Sequence, residues 1–136
     1  MQHRQGQLNR RRESGQTMVE FALILPTLAI LLFGIIQFGI AFNNYLTVTD
    51  AVRAGARVAA VSRNLPPGDR EAAVETKVVQ AAENLDTSKL VISVSSPDWQ
   101  RGSDVTVTAS YPWSINLLGK VVASGNLTSE TTERVE

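Results

Sequence analysis

The chain of 136 residues contains no cysteine and only one histidine, His3. Without cysteine it has neither a disulfide framework nor a thiolate site, so its fold depends on packing alone. Ser/His/Asp and Cys/His catalytic arrangements need side chains that the sequence does not supply beyond His3. The sequence therefore predicts that the protein is not an enzyme. It offers no candidate catalytic, cofactor-binding or metal-binding residue.

A net charge is also lacking, because 13 basic side chains balance 13 acidic ones. The basic side chains are unevenly placed. The first 15 residues hold four arginines against Glu13, and the rest of the chain holds nine basic and twelve acidic side chains. Arginines directly before an apolar run hold the N-terminus in the cytoplasm, by the positive-inside rule. The basic charge therefore indicates membrane topology and not a nucleic-acid partner.

The longest apolar run extends from Phe21 to Phe42 and carries no charge. As a helix rising about 1.5 Å per residue, it would span about 33 Å, close to the hydrocarbon thickness of a bilayer. A cleaved secretory signal is the alternative, but its apolar core would cover only about 7 to 15 residues. The run therefore predicts a single membrane helix. Pro26 inside it predicts either a harmless kink or a segment that loosens when subunits pack.

One carboxylate, Glu20, stands immediately before this run. It could lie in the headgroup layer and interact with the helix N-terminus through the helix dipole. Alternatively, a cut after Gly15 would make Gln16 the first residue and place a free amine one helical turn from Glu20. A neighbouring copy could then offer its amine to this carboxylate within the lipid. An unpaired charge there would be costly.

The sequence around these residues resembles a known family. Gly15 followed by QTMVEF resembles the cleavage signal of type IV pilins and pseudopilins, and the wider segment resembles the TadE-like minor pilins of Tad/Flp pilus systems. The residues that carry this likeness are GQTMVEFALILPTLAILLFGIIQFG and, downstream, Ala51, Arg53, Gly55, Ala56 and Arg57. One difference is Gln16, since many pilins begin with a methylated phenylalanine and an N-terminal glutamine can cyclise.

The resemblance implies a function. A prepilin peptidase would cut between Gly15 and Gln16, with Glu20 and Phe21 contributing to recognition, and Glu20 and Pro26 would act in assembly. The implied partners are the membrane, the peptidase, other Tad/Flp pilins and minor pilins, and the inner-membrane assembly platform. The implied location is the bacterial inner membrane, with the C-terminus periplasmic or extracellular. The alternative is an uncleaved, signal-anchored envelope protein whose ectodomain binds a ligand or partner.

Three segments follow from these patterns: a basic leader over residues 1–15, a membrane helix over 16–42, and an extracytoplasmic domain over 43–136. No helix breaker occurs between Asn43 and Arg63, so the membrane helix is expected to continue outward. Small and apolar residues share one side of this continuation. They predict close helix packing, either on the chain's own sheet or on a neighbouring subunit, and they are Val48, Ala51, Val52, Gly55 and Ala59.

The remaining pattern predicts an α+β fold of pilin type. A second amphipathic helix is expected from Arg70 to about Leu85. Period-two alternation predicts strands over Lys89–Ser95 and Asp104–Tyr111, joined by a turn at Pro97, Asp98 and Gly102, with a third strand over Leu127–Val135. The stretch from Ser114 to Gly125 is predicted to be a loop that covers the sheet edge with its apolar side chains, Leu117, Leu118, Val121 and Val122.

Overall fold

The computed structural model describes residues 3–96, 98–117 and 119–136, with side chains described from residue 15 onward. The charged leader side chains before Gly15, Pro97 of the predicted turn and Leu118 of the predicted loop lie outside the described residues. The chain divides into two compact units, Met1–Gly39 and Ile40–Glu136. The predicted α+β class is confirmed by a long N-terminal apolar helix, a second helix and a three-stranded antiparallel sheet.

The first helix, α1, runs from His3 to Val61 and contains Pro26. It ends in a short 3-10 turn, Ser62–Asn64, where the predicted helix end lies. The helical stretch Gly15–Asn64 is long and apolar enough to cross a membrane, with a mean hydropathy of 2.5 in its most apolar window. In the first unit, the described side chains are exposed except for Gln37, which is half-buried. An exposed apolar surface of this kind is expected of a helix that is surrounded by lipid.

The core of the second unit lies where α1 meets the second helix, α2 (Asp69–Ala81), and the sheet. Gly55 of α1 allows this close approach. A Cβ atom built there would collide with the Val78 side chain of α2 and would lie 3.6 Å from Val107 in the sheet. The predicted stripe of α1 is buried. It packs on the chain's own α2 and sheet, which decides between the two partners that the sequence allowed.

The sheet has the order β1-β2-β3, with β1 at Val91–Ser95, β2 at Asp104–Leu117 and β3 at Lys120–Arg134. The prediction of a loop between Ser114 and Gly125 is wrong, because both strands continue through it as a hairpin. The turn uses Gly119 at φ +83°, a backbone conformation that glycine adopts without strain.

Two residues made this hairpin hard to predict. Pro112 lacks a backbone donor and is unfavourable inside a sheet, yet it lies beyond the last residue that β1 pairs, Ser110. Gly125 resembles a strand breaker, but its missing side chain leaves room for the ring of Trp113 opposite it. A Cβ atom there would come within 3.0 Å of the indole nitrogen.

Backbone hydrogen bonds join the end of the chain to the end of α1. The Glu136 amide donates to the Ala60 carbonyl at 2.9 Å, and the Val135 amide donates to Ser103 O at 2.9 Å. Val135 itself is buried in the core. The start of β2 and the end of β3 therefore lie at the C-terminal end of α1, and the turn of the β2–β3 hairpin lies at the opposite end of the two strands.

Candidate functional site

The predicted cleavage and assembly residues lie on one stretch of α1, from Gly15 to Pro26, and their side chains are exposed. Gly15 is helical, and no described atom outside its local helix lies within 4 Å of a Cβ atom built there. Packing within the described chain therefore gives no reason for glycine at this position, in contrast to Gly55. The reason for glycine at position 15 must therefore lie in the conformation of the backbone or in contact with a partner.

The Gln16 and Glu20 side chains meet across one helical turn. The Gln16 amide nitrogen donates a hydrogen bond to a Glu20 carboxylate oxygen at 3.0 Å. An ionised carboxylate has about four acceptor positions, so Glu20 retains capacity for further donors. A neutral amide also leaves the negative charge uncompensated, which matters where no water is present. The pair therefore orients Glu20 and still leaves it able to bind a cation.

The two other residues of this stretch present apolar and backbone features. Phe21 is 63% exposed and directly follows Glu20. Pro26 lies within α1 and has no amide hydrogen to donate to the carbonyl of Ala22. The structure thus places a charge, an exposed aromatic ring and a missing helical hydrogen bond within two turns of helix.

The third group of predicted residues, Ala51, Gly55 and Ala59, lies in the interior of the second unit. These residues contribute to the buried face of α1 and are covered by the chain's own side chains. The opposite face carries the exposed Asp50 and Arg53, whose charged atoms lie 3.6 Å apart. These small residues therefore support the fold of the second unit in this arrangement.

An open cleft of about 500 Å³ lies beside the hairpin, lined by Lys89, Pro112, Trp113, Ser114, Ser124, Gly125 and Asn126. Lys89, in this lining, forms an ion pair with Asp86 at 3.0 Å. Hydrogen bonding and the charge of Asp86 raise the pKa of Lys89. Hydrogen bonds from Ser88 and then Lys89 lower the pKa of Asp86. Among the described residues, no group of three or more His, Cys, Asp or Glu side chains could hold a metal ion.

The feature that the sequence analysis missed is the outer half of the β2–β3 hairpin. The sequence does contain the pattern that predicts this half of the hairpin. The period-two alternation of β2 continues without interruption through Tyr111, Trp113, Ile115 and Leu117. Leu117 pairs with Lys120, and only two residues separate them in the sequence. Apolar alternation on both sides of a two-residue connection is the usual sign of a hairpin.

The family model of TadE-like protein matches residues 15–57 of the chain. This match confirms the resemblance seen in the sequence and covers less than half of the chain. It includes the Gly15–Pro26 stretch and most of the buried stripe of α1. No curated protein and no solved structure matches the chain.

TadE-like proteins are associated with Tad pili and are generally not enzymes, and the match relates residues 15–57 of this chain to that family. Within the described part of the chain, one N-terminal helix is long and apolar enough to cross a membrane, and it indicates a single-pass membrane anchor.

Proposed function

We propose that this chain, which is TadE-like over residues 15–57, is a minor pilin or pseudopilin that takes part in assembly of a Tad/Flp-type pilus. The observation that carries the proposal is the arrangement at the start of the apolar helix. Gly15 packs against no other part of the described chain. Glu20 lies one turn beyond Gln16, is hydrogen-bonded to it, and stands at the edge of an exposed apolar surface. A pilin requires both residues, whereas a plain membrane anchor requires neither.

In this function residues 1–15 are a cytoplasmic leader, residues 16–42 span the inner membrane, and residues 43–136 form a domain on the periplasmic or extracellular side. A prepilin peptidase cuts between Gly15 and Gln16, and recognises Glu20 and Phe21. Because α1 is helical through the cut site, the helix must open there for the peptide bond to enter an active site. Glycine eases this opening, since it destabilises a helix by about 1 kcal/mol relative to alanine.

Assembly then depends on the charge of Glu20. The amine created at Gln16 in one subunit pairs with Glu20 of the next, so the cost of a carboxylate in lipid is offset only when subunits are in register. Pro26 removes a helical hydrogen bond one to two turns further on, which lets the helix adjust as it packs. The assembly platform and other pilins are the partners in this step.

The folded ectodomain supports a minor role. A major Flp pilin is typically little more than the helix. Here residues 43–136 form a buried core between α1, α2 and the sheet. Such a domain suits a subunit that starts or supports the fibre more than one that repeats along it.

The deciding experiment is the N-terminal mass of the protein purified from its native membrane with the prepilin peptidase present. A chain that begins at Gln16, whether free, methylated or cyclised, supports the proposal. A chain that retains the arginine leader contradicts it and favours an uncleaved, signal-anchored envelope protein.

The matched variants are Gly15→Ala and Gly34→Ala, because at both positions an added Cβ atom meets no described atom within 4 Å. Both changes strengthen the helix by a similar amount. We expect Gly15→Ala to block cleavage without blocking membrane insertion, and Gly34→Ala to be processed normally. Equal processing of the two variants would rule out recognition at Gly15.

A further inference from the structure

The outer half of the β2–β3 hairpin, residues 111–117 and 120–127, is named the distal arm. Since β1 pairs only with β2 residues up to Ser110, the arm is a two-stranded ribbon among the described residues. An isolated two-stranded hairpin is marginally stable in water. The arm nevertheless exposes apolar side chains, with Val121 at 61% and Val122 at 58% exposure. A two-stranded ribbon with exposed apolar side chains would be stabilised by a partner that covers the end of the arm.

The charge of the arm restricts what that partner can be. From Pro112 to Ser129 the sequence has no acidic residue and a single basic one, Lys120, which is exposed beside the turn. The rest of the ectodomain is rich in carboxylates. An apolar tip with one cation and no carboxylate is compatible with an anionic lipid surface. It is less suited to a second copy of itself, because two Lys120 side chains would then meet.

The direction in which β2 runs indicates which end of the second unit the tip of the arm lies at. The start of β2 is joined to the C-terminal end of α1 through the Glu136–Ala60 hydrogen bond, and further along β2, Val107 lies level with Gly55. Following β2 toward its turn therefore leads toward the N-terminal end of the second unit. At that end Ile40 and Phe42 are exposed, 53% each, and finish the apolar run.

We propose that the tip of the distal arm docks into the outer interface of the bilayer in which the apolar helix is anchored. Val121, Val122 and Leu117 enter the boundary between headgroups and acyl chains, and Lys120 binds lipid phosphate. Trp113, nearer the base of the arm, lies at headgroup depth, where tryptophan is enriched. The ectodomain thus has a second membrane contact besides its helix, and this contact does not depend on leader cleavage.

The test uses the full chain in lipid nanodiscs at one chain per disc. Because the protein has no cysteine, Val122→Cys can carry a single environment-sensitive fluorophore. Val91→Cys in β1 is the matched control, since Val91 is also an exposed strand valine, at 67%, and lies away from the tip. We expect lipids with a quencher at the upper acyl chain to quench the label at 122 at least about twofold more than the label at 91. Equal quenching at the two positions would overturn the proposal.

A second measurement needs no variant. The chain has three lysines, and Lys77 and Lys120 are both exposed. In nanodiscs containing anionic lipid, a water-soluble acylating reagent should modify Lys120 several-fold more slowly than Lys77. Equal rates would contradict docking. Protection of Lys120 that appears only at several chains per disc would also contradict it, and would instead indicate contact between copies.

Discussion

The side-chain amide of Gln16 donates a hydrogen bond to the carboxylate of Glu20 across one helical turn, with 3.0 Å between nitrogen and oxygen. If the chain is cut after Gly15, the donor of this bond belongs to the first residue of the mature protein. Gln16 would then carry an amide that satisfies Glu20 within the chain and an amine that can satisfy Glu20 of a neighbour. The chemical state of this one residue decides which interaction is available.

The first prediction concerns the charge of Glu20. Glu20→Gln keeps the size and hydrogen-bonding capacity of the side chain but removes its charge. We expect leader cleavage to be largely retained and incorporation into pili to be lost, because a neutral amide gives no ion pair with a neighbouring amine. Processing is measured by the mass of the mature chain, and incorporation by the amount in sheared pilus fractions.

The control for this variant is Glu71→Gln, an exposed carboxylate in the first turn of α2. It removes the same charge from α2, outside the apolar run Phe21–Phe42. Normal piliation in Glu20→Gln would remove the charge-pairing argument, whatever the control shows.

The second prediction concerns cyclisation of Gln16. An N-terminal glutamine that cyclises loses ammonia, because its amine attacks the side-chain carbonyl. It thereby loses both the amine and the amide that donates to Glu20. Gln16→Ala cannot cyclise and keeps the amine, while the hydrogen bond that it loses contributes only about 0.2 to 0.5 kcal/mol in an exposed helix. We therefore expect Gln16→Ala to assemble at least as well as the natural chain.

Mass spectrometry of the mature N-terminus identifies the state directly, since the cyclised chain is lighter by one ammonia. A natural chain that is fully cyclised and still assembles through Glu20 would show that the partner of this carboxylate is not the amine.

Local periodicity predicted most of the fold. The stripe of Val48, Val52 and Ala59 was identified from helical spacing. Alternation predicted a strand over Lys89–Ser95, which the structure has at Val91–Ser95. Spacing shows which side of an element is apolar but not what covers it. The choice between the chain's own sheet and a neighbouring subunit was therefore settled only by the contacts of Gly55 with Val78 and Val107.

The distal arm was missed for a different reason. Pro112 and Gly125 normally interrupt strands, and their meaning here depends on residues far away in sequence. Pro112 is tolerated because β1 pairs with β2 only up to Ser110. Gly125 is favoured because a side chain there would crowd the ring of Trp113. The Gly15–Glu20 site differs from the distal arm, because its residues were recognised in the sequence but the described chain does not explain them. Its glycine and carboxylate were identified from the sequence, whereas the role that we propose for them involves partners outside the chain.

The third prediction concerns the Asp86–Lys89 ion pair, whose charged atoms are 3.0 Å apart. Hydrogen bonds from Ser88 and Lys89 lower the pKa of Asp86, so its contribution to stability is present above the unfolded value of about 3.9 and is lost as the pH falls. The pKa of Lys89 is raised, so its contribution is present below about 10.4 and is lost as the pH rises further. The pair therefore stabilises the fold between these two limits.

We expect Asp86→Asn to lower the melting temperature slightly at pH 7 and to have no effect near pH 2, where the natural carboxylate is protonated. Because both side chains are exposed, the difference at pH 7 should shrink in high salt. Glu75→Gln, which removes an exposed charge from α2, is the control for net charge. An equal effect of Asp86→Asn at both pH values would contradict the assignment.

The last prediction concerns the contact between α1 and α2. Gly55→Ala places a methyl group where the Val78 side chain lies, so α2 must move or Val78 must leave its position. Overpacking of this kind costs about 1 to 3 kcal/mol. We expect the free energy of unfolding of the second unit to fall by that amount in chemical denaturation of the full chain in detergent. Gly34→Ala, whose added Cβ atom meets no described atom within 4 Å, should leave it unchanged.

A double-mutant cycle separates the clash from a general effect of alanine. Val78→Ala alone leaves a cavity in the core and destabilises the fold. Combined with Gly55→Ala, it removes the atoms that collide. The double variant should therefore lose less free energy of unfolding than the sum of the losses of the two single variants. The difference should lie in the range of about 0.5 to 3 kcal/mol that contacting residues show. Simple additivity would mean that the two residues do not touch, and that α2 packs on α1 in a different register.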